Sequence, residues 1–231
     1  MSGGPGQADA VRSGPVLAVD ASVRPVVSLL GPDGEPWGLW EQTPGTRGTA
    51  GLAVEAARLL EARELAVTDL GGLAVGLGPG SYTGLRAAIA FVRGLAWPAG
   101  LPQAGVVSFA AQARAVLRDD PAVQTVTVLQ DARRGEAYRA DYARDTDAEG
   151  GAEPRETAPP RLVPSAEADD LRTDPSAGIF VVRDGTPDGY DVAALGRRRL
   201  LAGGDDPATL LPLYLKRSHA EIALEERARR R

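Results

Sequence analysis

The sequence predicts an α/β protein, strands alternating with helices so that a largely parallel sheet is covered by helices on its faces. Three observations carry that prediction. Apolar runs of strand length recur at 16–22, 70–78, 103–108, 125–130 and 178–185 of the 231 residues. Segments with helical spacing of apolar residues separate most of them. Finally, VLAVDAS and TVTVLQDARRG each end an apolar strand in Asp-Ala (Asp20-Ala21 and Asp131-Ala132) and lead into a second strand. A duplicated strand–strand–helix unit would produce that echo.

The elements follow in order. VLAVDAS is a buried strand. RPVVSLL and EPWGLWEQ flank GPDG, a turn in which Gly34 can take a positive φ, so they form a hairpin. Thr49 is placed to cap a helix running to about Glu64, with Leu52, Ala56, Leu59 and Leu60 on one face. LGGLAVGLG is a strand and leads into a helix starting near Ser81. QAGVVS is another strand, with Ser108 as the cap of helix FAAQARAVLRDD. TVTVLQ begins a hairpin that turns at DARRG and returns through EAYRADY. Residues 143–160, charged, proline-rich and without period, read as a flexible loop. GIFVVRDG is a strand, VAALGRRRLLAGG a helix with Gly203 near its end, and LLPLYLKR an extended segment. The chain therefore divides into a disordered start (1–13), an N-terminal half (14–110), a C-terminal half (111–217) and a polar tail (218–231).

Composition narrows the chemistry. Apolar side chains make up 43% and charged ones 25%, and no apolar run approaches the ~20 residues of a membrane span. The first residues lack the apolar segment of a secretory signal. There is no cysteine, which excludes disulfides, thiolate nucleophiles and zinc–sulfur sites and fits a reducing compartment. The expectation is a cytoplasmic protein with no membrane partner. Net charge is −5, so bulk attraction does not hold the chain on nucleic acid. His219 is the single histidine, so two-histidine metal sites are excluded and a Ser–His–Asp triad has one candidate, in the polar tail. The RARRR terminus reads as a solvated end, with electrostatic contact to RNA as the other reading.

The stretch GLGPGSYTGLRAAIAFVRGLAW (76–97) poses the main question. A glycine-rich turn opening a helix resembles a phosphate loop, but the spacing is wrong. Gly78 and Gly84 are followed by Leu85-Arg86 instead of Lys-Ser/Thr, and G-x-G-x-x-G fails at Ser81 and at Thr83. What remains is generic anion binding at a helix N-terminus or a turn that needs a tight bend. The helix is more informative. Leu85, Ala88, Ile89, Val92 and Ala96 form a core stripe, yet the opposite side carries Ala87, Ala90, Phe91 and Gly94, with Arg86 and Arg93 its charges. A helix apolar nearly all round is covered twice. The second cover is another subunit or the chain's own second half, and periodicity leaves both open.

Asp20 and Asp131 end strands and could hold magnesium near phosphates, or simply form turns. DARRG could clamp an anion through its arginines, or be a tight hairpin turn.

The succession VLAVDAS, GPGSYTGLR, GVVSFAA, DARRGEAY and PLYLKR resembles the TsaB (YeaZ) family, the resemblance running through 16–217. The family usually has Phe where this chain has Tyr82. The resemblance implies an actin/Hsp70/sugar-kinase-like (RNase H-like) duplicated fold whose second half is reduced. It implies a non-catalytic subunit that pairs with TsaD, the catalyst of N6-threonylcarbamoylation of adenosine 37 beside the tRNA anticodon, in an assembly joined by the ATPase TsaE. Self-association is implied too, as is tRNA contact only through the complex. The helix after GPGSYTGLR is then the docking helix for both partners, through Tyr82, Thr83, Leu85, Arg86, Ile89, Ala90 and Arg93. Asp20, Ser22 and Asp131 would mark a degenerate nucleotide or phosphate site. No metal or cofactor of its own is implied, with a nucleotide at the partner interface left open. One departure stands out: many members carry a His-Ser pair before the first long helix, where this chain reads GTRGTAG (45–51).

Overall fold

The computed structural model describes residues 14–46, 48–146 and 151–216. The expectations for 1–13, His219 and the rest of the 218–231 tail lie outside them.

The first sheet holds β1 (Val16–Asp20), β2 (Val26–Leu30), β3 (Pro36–Glu41), β4 (Gly72–Gly76) and β5 (Gln103–Val106), in the order β3-β2-β1-β4-β5. The first three strands form an antiparallel meander, while β4 runs parallel to β1 and β5 parallel to β4. β1, β2, β4 and β5 are buried at every position, as strands covered on both faces must be. On one face lie α1 (Gly51–Glu61) and α2 (Tyr82–Ala99), with Leu52, Ala56, Leu60, Ala88 and Val92 packed on Leu17, Val19 and Val75. On the other lies α5 (Gly189–Leu201), through Val192, Ala193 and Leu200.

The second sheet holds β6 (Thr125–Arg133), β7 (Glu136–Thr146), β8 (Ala152–Pro164) and β9 (Ile179–Arg183), ordered β8-β7-β6-β9. It too is an antiparallel meander with a parallel strand beside its first member. Helix α3 (Ser108–Asp119) covers one face with Phe109, Ala113 and Leu117, and the short α4 (Ser165–Asp169) packs Ala168 on the other.

The structure changes several sequence expectations. Both sheets are mixed, not largely parallel, because each Asp-Ala strand turns into a hairpin. Residues 143–160 are not a loop: apart from 147–150, which lie outside the described residues, and Gly151, they belong to β7 and β8. Pro154, Pro159 and Pro160 disguise β8 as a loop, yet it is an edge strand, where missing N–H donors are tolerated. Thr49 does not cap α1; the cap position is Ala50, with no side-chain bond. Helix 192–204 begins earlier, at Gly189, where the Asp188 carboxylate accepts the amides of Tyr190 and Asp191. Because α5 returns to the first sheet, a cut at residue 110 does not separate the layers.

Candidate functional site

Asp20 ends β1 with no solvent exposure. Its carboxylate accepts the Ser22 amide (2.7 Å), the Ser22 hydroxyl (2.6 Å) and the Ser108 hydroxyl (2.5 Å). Burial pushes its pKa above the usual carboxylate range, against the pull of those serine bonds. Ser108 is thus no helix cap: the cap position is Val107, and the Ser108 hydroxyl also accepts the Gly78 amide at 3.0 Å. The expected grouping of Asp20 with Ser22 is present, but it is closed.

Asp131 does not join them. It sits on the second sheet, where its amide donates to Asp184 and its carboxylate accepts the Arg133 amide and pairs with the Arg133 guanidinium. DARRG is the tight hairpin turn: Arg133, Arg134 and Gly135 all take positive φ, and the Lys216 ammonium donates to the carbonyls of Ala132 and Arg133.

The glycine turn is filled by the chain itself. The Ser81 amide donates to the Ser22 carbonyl at 2.6 Å. A Cβ on Gly80 would strike that same carbonyl, and one on Gly84 would strike the carbonyl of Ala21. These glycines let the start of α2 lie directly on the β1–β2 turn. The Ser81 hydroxyl caps the helix by accepting the Gly84 amide at 3.1 Å.

The seven docking residues expected on α2 divide by face. Leu85 is fully buried and Ile89 is 5% exposed, both facing the chain's own core because they share the stripe of Ala88 and Val92. Arg93 is spent inside the chain, donating to the carbonyls of Pro207 and Leu210. Tyr82, Thr83, Arg86 and Ala90 are exposed. They continue through Gly94, around which a Cβ would meet nothing within 4 Å, to Trp97 at 88% exposure. Trp97 was missed by sequence reasoning, although its spacing of seven from Ala90 puts it on the same face. Among the described residues, the second half reaches this row at Tyr82, through Tyr214, and leaves Ala90, Gly94 and Trp97 open.

Tyr82 is stacked on Tyr214 with ring centroids 4.7 Å apart and planes 19° from parallel. Arg86 lies over the Tyr82 ring and donates to its hydroxyl at 2.8 Å. Among the described residues, no group of three or more His, Asp or Glu side chains could hold a metal ion, and no helix is long and apolar enough to cross a membrane.

Fold and site together define a two-sheet α/β protein with a sealed strand-end aspartate and an unpaired, small-residue helix face. Comparison with known proteins narrows the class. A family model for TsaD, tRNA N6-adenosine threonylcarbamoyltransferase, matches residues 50–158. The tRNA threonylcarbamoyladenosine biosynthesis protein TsaB of Escherichia coli K12 is 34% identical over 130 residues, 56% of this chain and 55% of that protein. The chain thus spans about half the length of that curated relative. An uncharacterized protein of Mycobacterium tuberculosis H37Rv is 30% identical over 168 residues, covering 68% of this chain and 69% of that one. YeaZ from Pseudomonas aeruginosa has the same fold, with a TM-score of 0.73 at 23% identity over 87% of this chain and 100% of that one. The chain belongs to the TsaB (YeaZ) family.

Proposed function

We propose that this chain is a non-catalytic subunit of the machinery that makes threonylcarbamoyladenosine in tRNA, and that α2 docks it on a TsaD-type catalytic subunit. The observation that carries the reading is the exposed face Thr83–Arg86–Ala90–Gly94–Trp97. Small residues at its centre let a second helix approach closely, and Arg and Trp at its flanks are the residue types that dominate binding energy. The names of the E. coli and Haemophilus influenzae relatives, TsaB of threonylcarbamoyladenosine biosynthesis, supply the pathway. The TsaD match over 50–158 suits a subunit related to its own catalytic partner.

The same face fits a second copy of the chain. A two-fold axis through Ala90 would set Arg86 of one copy against Gly94 of the other, and Thr83 against Trp97, bulky groups against small ones. The homodimer and the TsaD pair are then alternative uses of one surface. A TsaE-type ATPase completes the assembly, and tRNA is met through it. The chain brings no cofactor or metal of its own; a nucleotide, where one binds, belongs to the partner interface.

The actin-like duplicated fold is part of this proposal. Its support is the shared strand order: the second sheet repeats the first without the fifth strand, as a reduced second half would.

The test is mass by light scattering of the chain alone and mixed with the TsaD-type subunit of its own organism. A dimer that exchanges into a heterodimer is expected. A monomer indifferent to that subunit would overturn the proposal, and tight Mg-ATP binding by the isolated chain would then favour a nucleotide-using enzyme.

A further inference from the structure

The segment 205–216 has no regular secondary structure, yet it is tied down along its length. The Asp205 carboxylate accepts the Gly105 amide at 2.8 Å on the edge of β5 and is paired with Arg199. Leu210 is 2% exposed. Arg93, on α2, donates to the carbonyls of Pro207 and Leu210, the latter at 2.8 Å. The Leu213 amide donates to the Leu77 carbonyl at 2.7 Å. Tyr214 then stacks on Tyr82, and Lys216 reaches the β6–β7 turn through two carbonyls and the Glu136 carboxylate. The strap crosses from the first sheet to the second and touches the docking helix at two points on the way.

The backbone of α2's first turn does not need this support. Ser81 and Gly84 already fix it against the β1–β2 turn. The side chains on its outer side do need it. Tyr82 is 42% exposed, and an isolated Tyr and Arg at that surface would sample several rotamers. Tyr214 removes that freedom from one side of the ring, and Arg86 closes over the ring and its hydroxyl.

We propose that the strap is a positioning element for the docking face: Tyr214, anchored through Arg93 and Leu213, holds Tyr82 and Arg86 in the arrangement a partner meets. This rests on the reading of α2 as the docking helix. Pre-ordering of this kind strengthens association without adding a contact, because the ordering cost is already met in the free chain.

The experiment is a double-mutant cycle on the full chain, read as affinity for the TsaD-type subunit with melting temperature as control. Tyr214→Ala is expected to weaken association about three- to tenfold, the range of an aromatic pair, without lowering the melting temperature appreciably. Tyr214→Phe keeps the stack but loses the hydroxyl contacts with Tyr82 and Arg86, so its affinity should fall less than that of Tyr214→Ala. In a Tyr82→Ala background the effect of Tyr214→Ala should fall well below its effect in the wild type, because Tyr214 acts through Tyr82 and its neighbour Arg86. Additive effects would overturn the proposal by making Tyr214 a contact in its own right. Association unchanged in Tyr214→Ala but lost in Ala90→Arg would overturn the strap proposal alone. Association unchanged in both would overturn the docking-helix reading and the strap with it.

Discussion

Ile89 and Ala90 are neighbours in sequence and opposites in structure, so one pair of substitutions tests both faces of α2. Ile89 is 5% exposed, in a cluster with Leu17, Val75, Ala88 and Val92. Ile89→Asp removes that apolar burial, about 2–5 kcal/mol for truncation to Ala-size. It also puts a carboxylate among hydrocarbon side chains, which costs several kcal/mol more whether it stays charged or takes up a proton. The sum is about 5 kcal/mol or above, the lower end of a whole domain's stability. Ile89→Asp should therefore unfold the chain or melt it far below the wild type.

Ala90→Arg should do the reverse. Arg is a helix former within a few tenths of a kcal/mol of Ala, and the open space at Gly94, one turn on, gives the longer side chain room. Stability should stay within about 0.5 kcal/mol. At the dry centre of an interface, however, an unpaired charge costs about 2–5 kcal/mol, roughly thirtyfold to a few thousandfold in affinity. Thermal melts and light-scattering mass, alone and with the TsaD-type subunit, read both effects. A folded Ala90→Arg chain that still dimerises and still pairs would refute the face assignment. An Ile89→Asp chain with an unchanged melt would refute the core assignment.

Four further outcomes follow from the buried polar groups and what packs on them. Asp20→Ala leaves the Ser22 amide and the Ser22 and Ser108 hydroxyls without their acceptor, at a cost on the order of 3–6 kcal/mol; a denaturant midpoint near wild type would contradict this. Burial raises the Asp20 pKa above its unfolded value of 3.8, so its stabilising contribution is full below that value and is lost as pH rises through the folded pKa. The stability of Asp20→Asn relative to wild type should accordingly increase as pH rises above about 4, and a flat difference would refute the shift. Gly76→Ala drives a methyl into the Asp20 carboxylate, an overpacking worth about 1–3 kcal/mol in equilibrium unfolding; an unaltered midpoint would mean β4 and β1 can part freely. Asp191 is fully buried on α5 and paired with Arg114 and Arg118 of α3. Asp191→Ala removes the buried carboxylate the two guanidiniums share, while Arg114 keeps Glu153 and Arg118 keeps Asp119 and Asp188; the cost in urea unfolding should be about 1–3 kcal/mol, and a loss below about 0.5 kcal/mol would refute a structural role for Asp191.

What could be read from the sequence was what depends on local spacing. β1, β4 and β5 are legible as strands because both their faces are covered, whereas at DARRG spacing left an anion clamp and a hairpin turn open, since of its three positive-φ residues only Gly135 is of a type that favours that conformation. Ala88, Val92 and Ala96 identify the core side of α2. Spacing put Leu85 and Ile89 on that side too, and they do pack inward; it was the docking list drawn from the resemblance that placed them at the interface. β8 was hidden because an edge strand tolerates the prolines and charges that normally argue against a strand. Ser108 has the right residue type for a cap, and only its partner 88 residues away gives it another role. The strap was illegible for the same reason: Arg93, Tyr82 and Leu77 reach it across more than a hundred residues, and nothing periodic marks it.

The sealed aspartate and the open helix are one construction. A carboxylate that served as a magnesium ligand would need free lone pairs facing solvent; that of Asp20 is enclosed and already accepts three hydrogen bonds. One of those donors, Ser108, begins α3 and simultaneously holds the Gly78 amide. Through that hydroxyl, the end of β1, the start of α3 and the turn before α2 are fixed to one another. Gly80 and Gly84 then seat the helix on the β1–β2 turn, which sets the direction in which α2 leaves the sheet and so the face presented by Ala90, Gly94 and Trp97. A residue type that elsewhere suits catalysis at a strand end is used here to aim a helix. Loss of Asp20 should therefore reach partner binding only through the position of α2, falling together with stability and never separately from it.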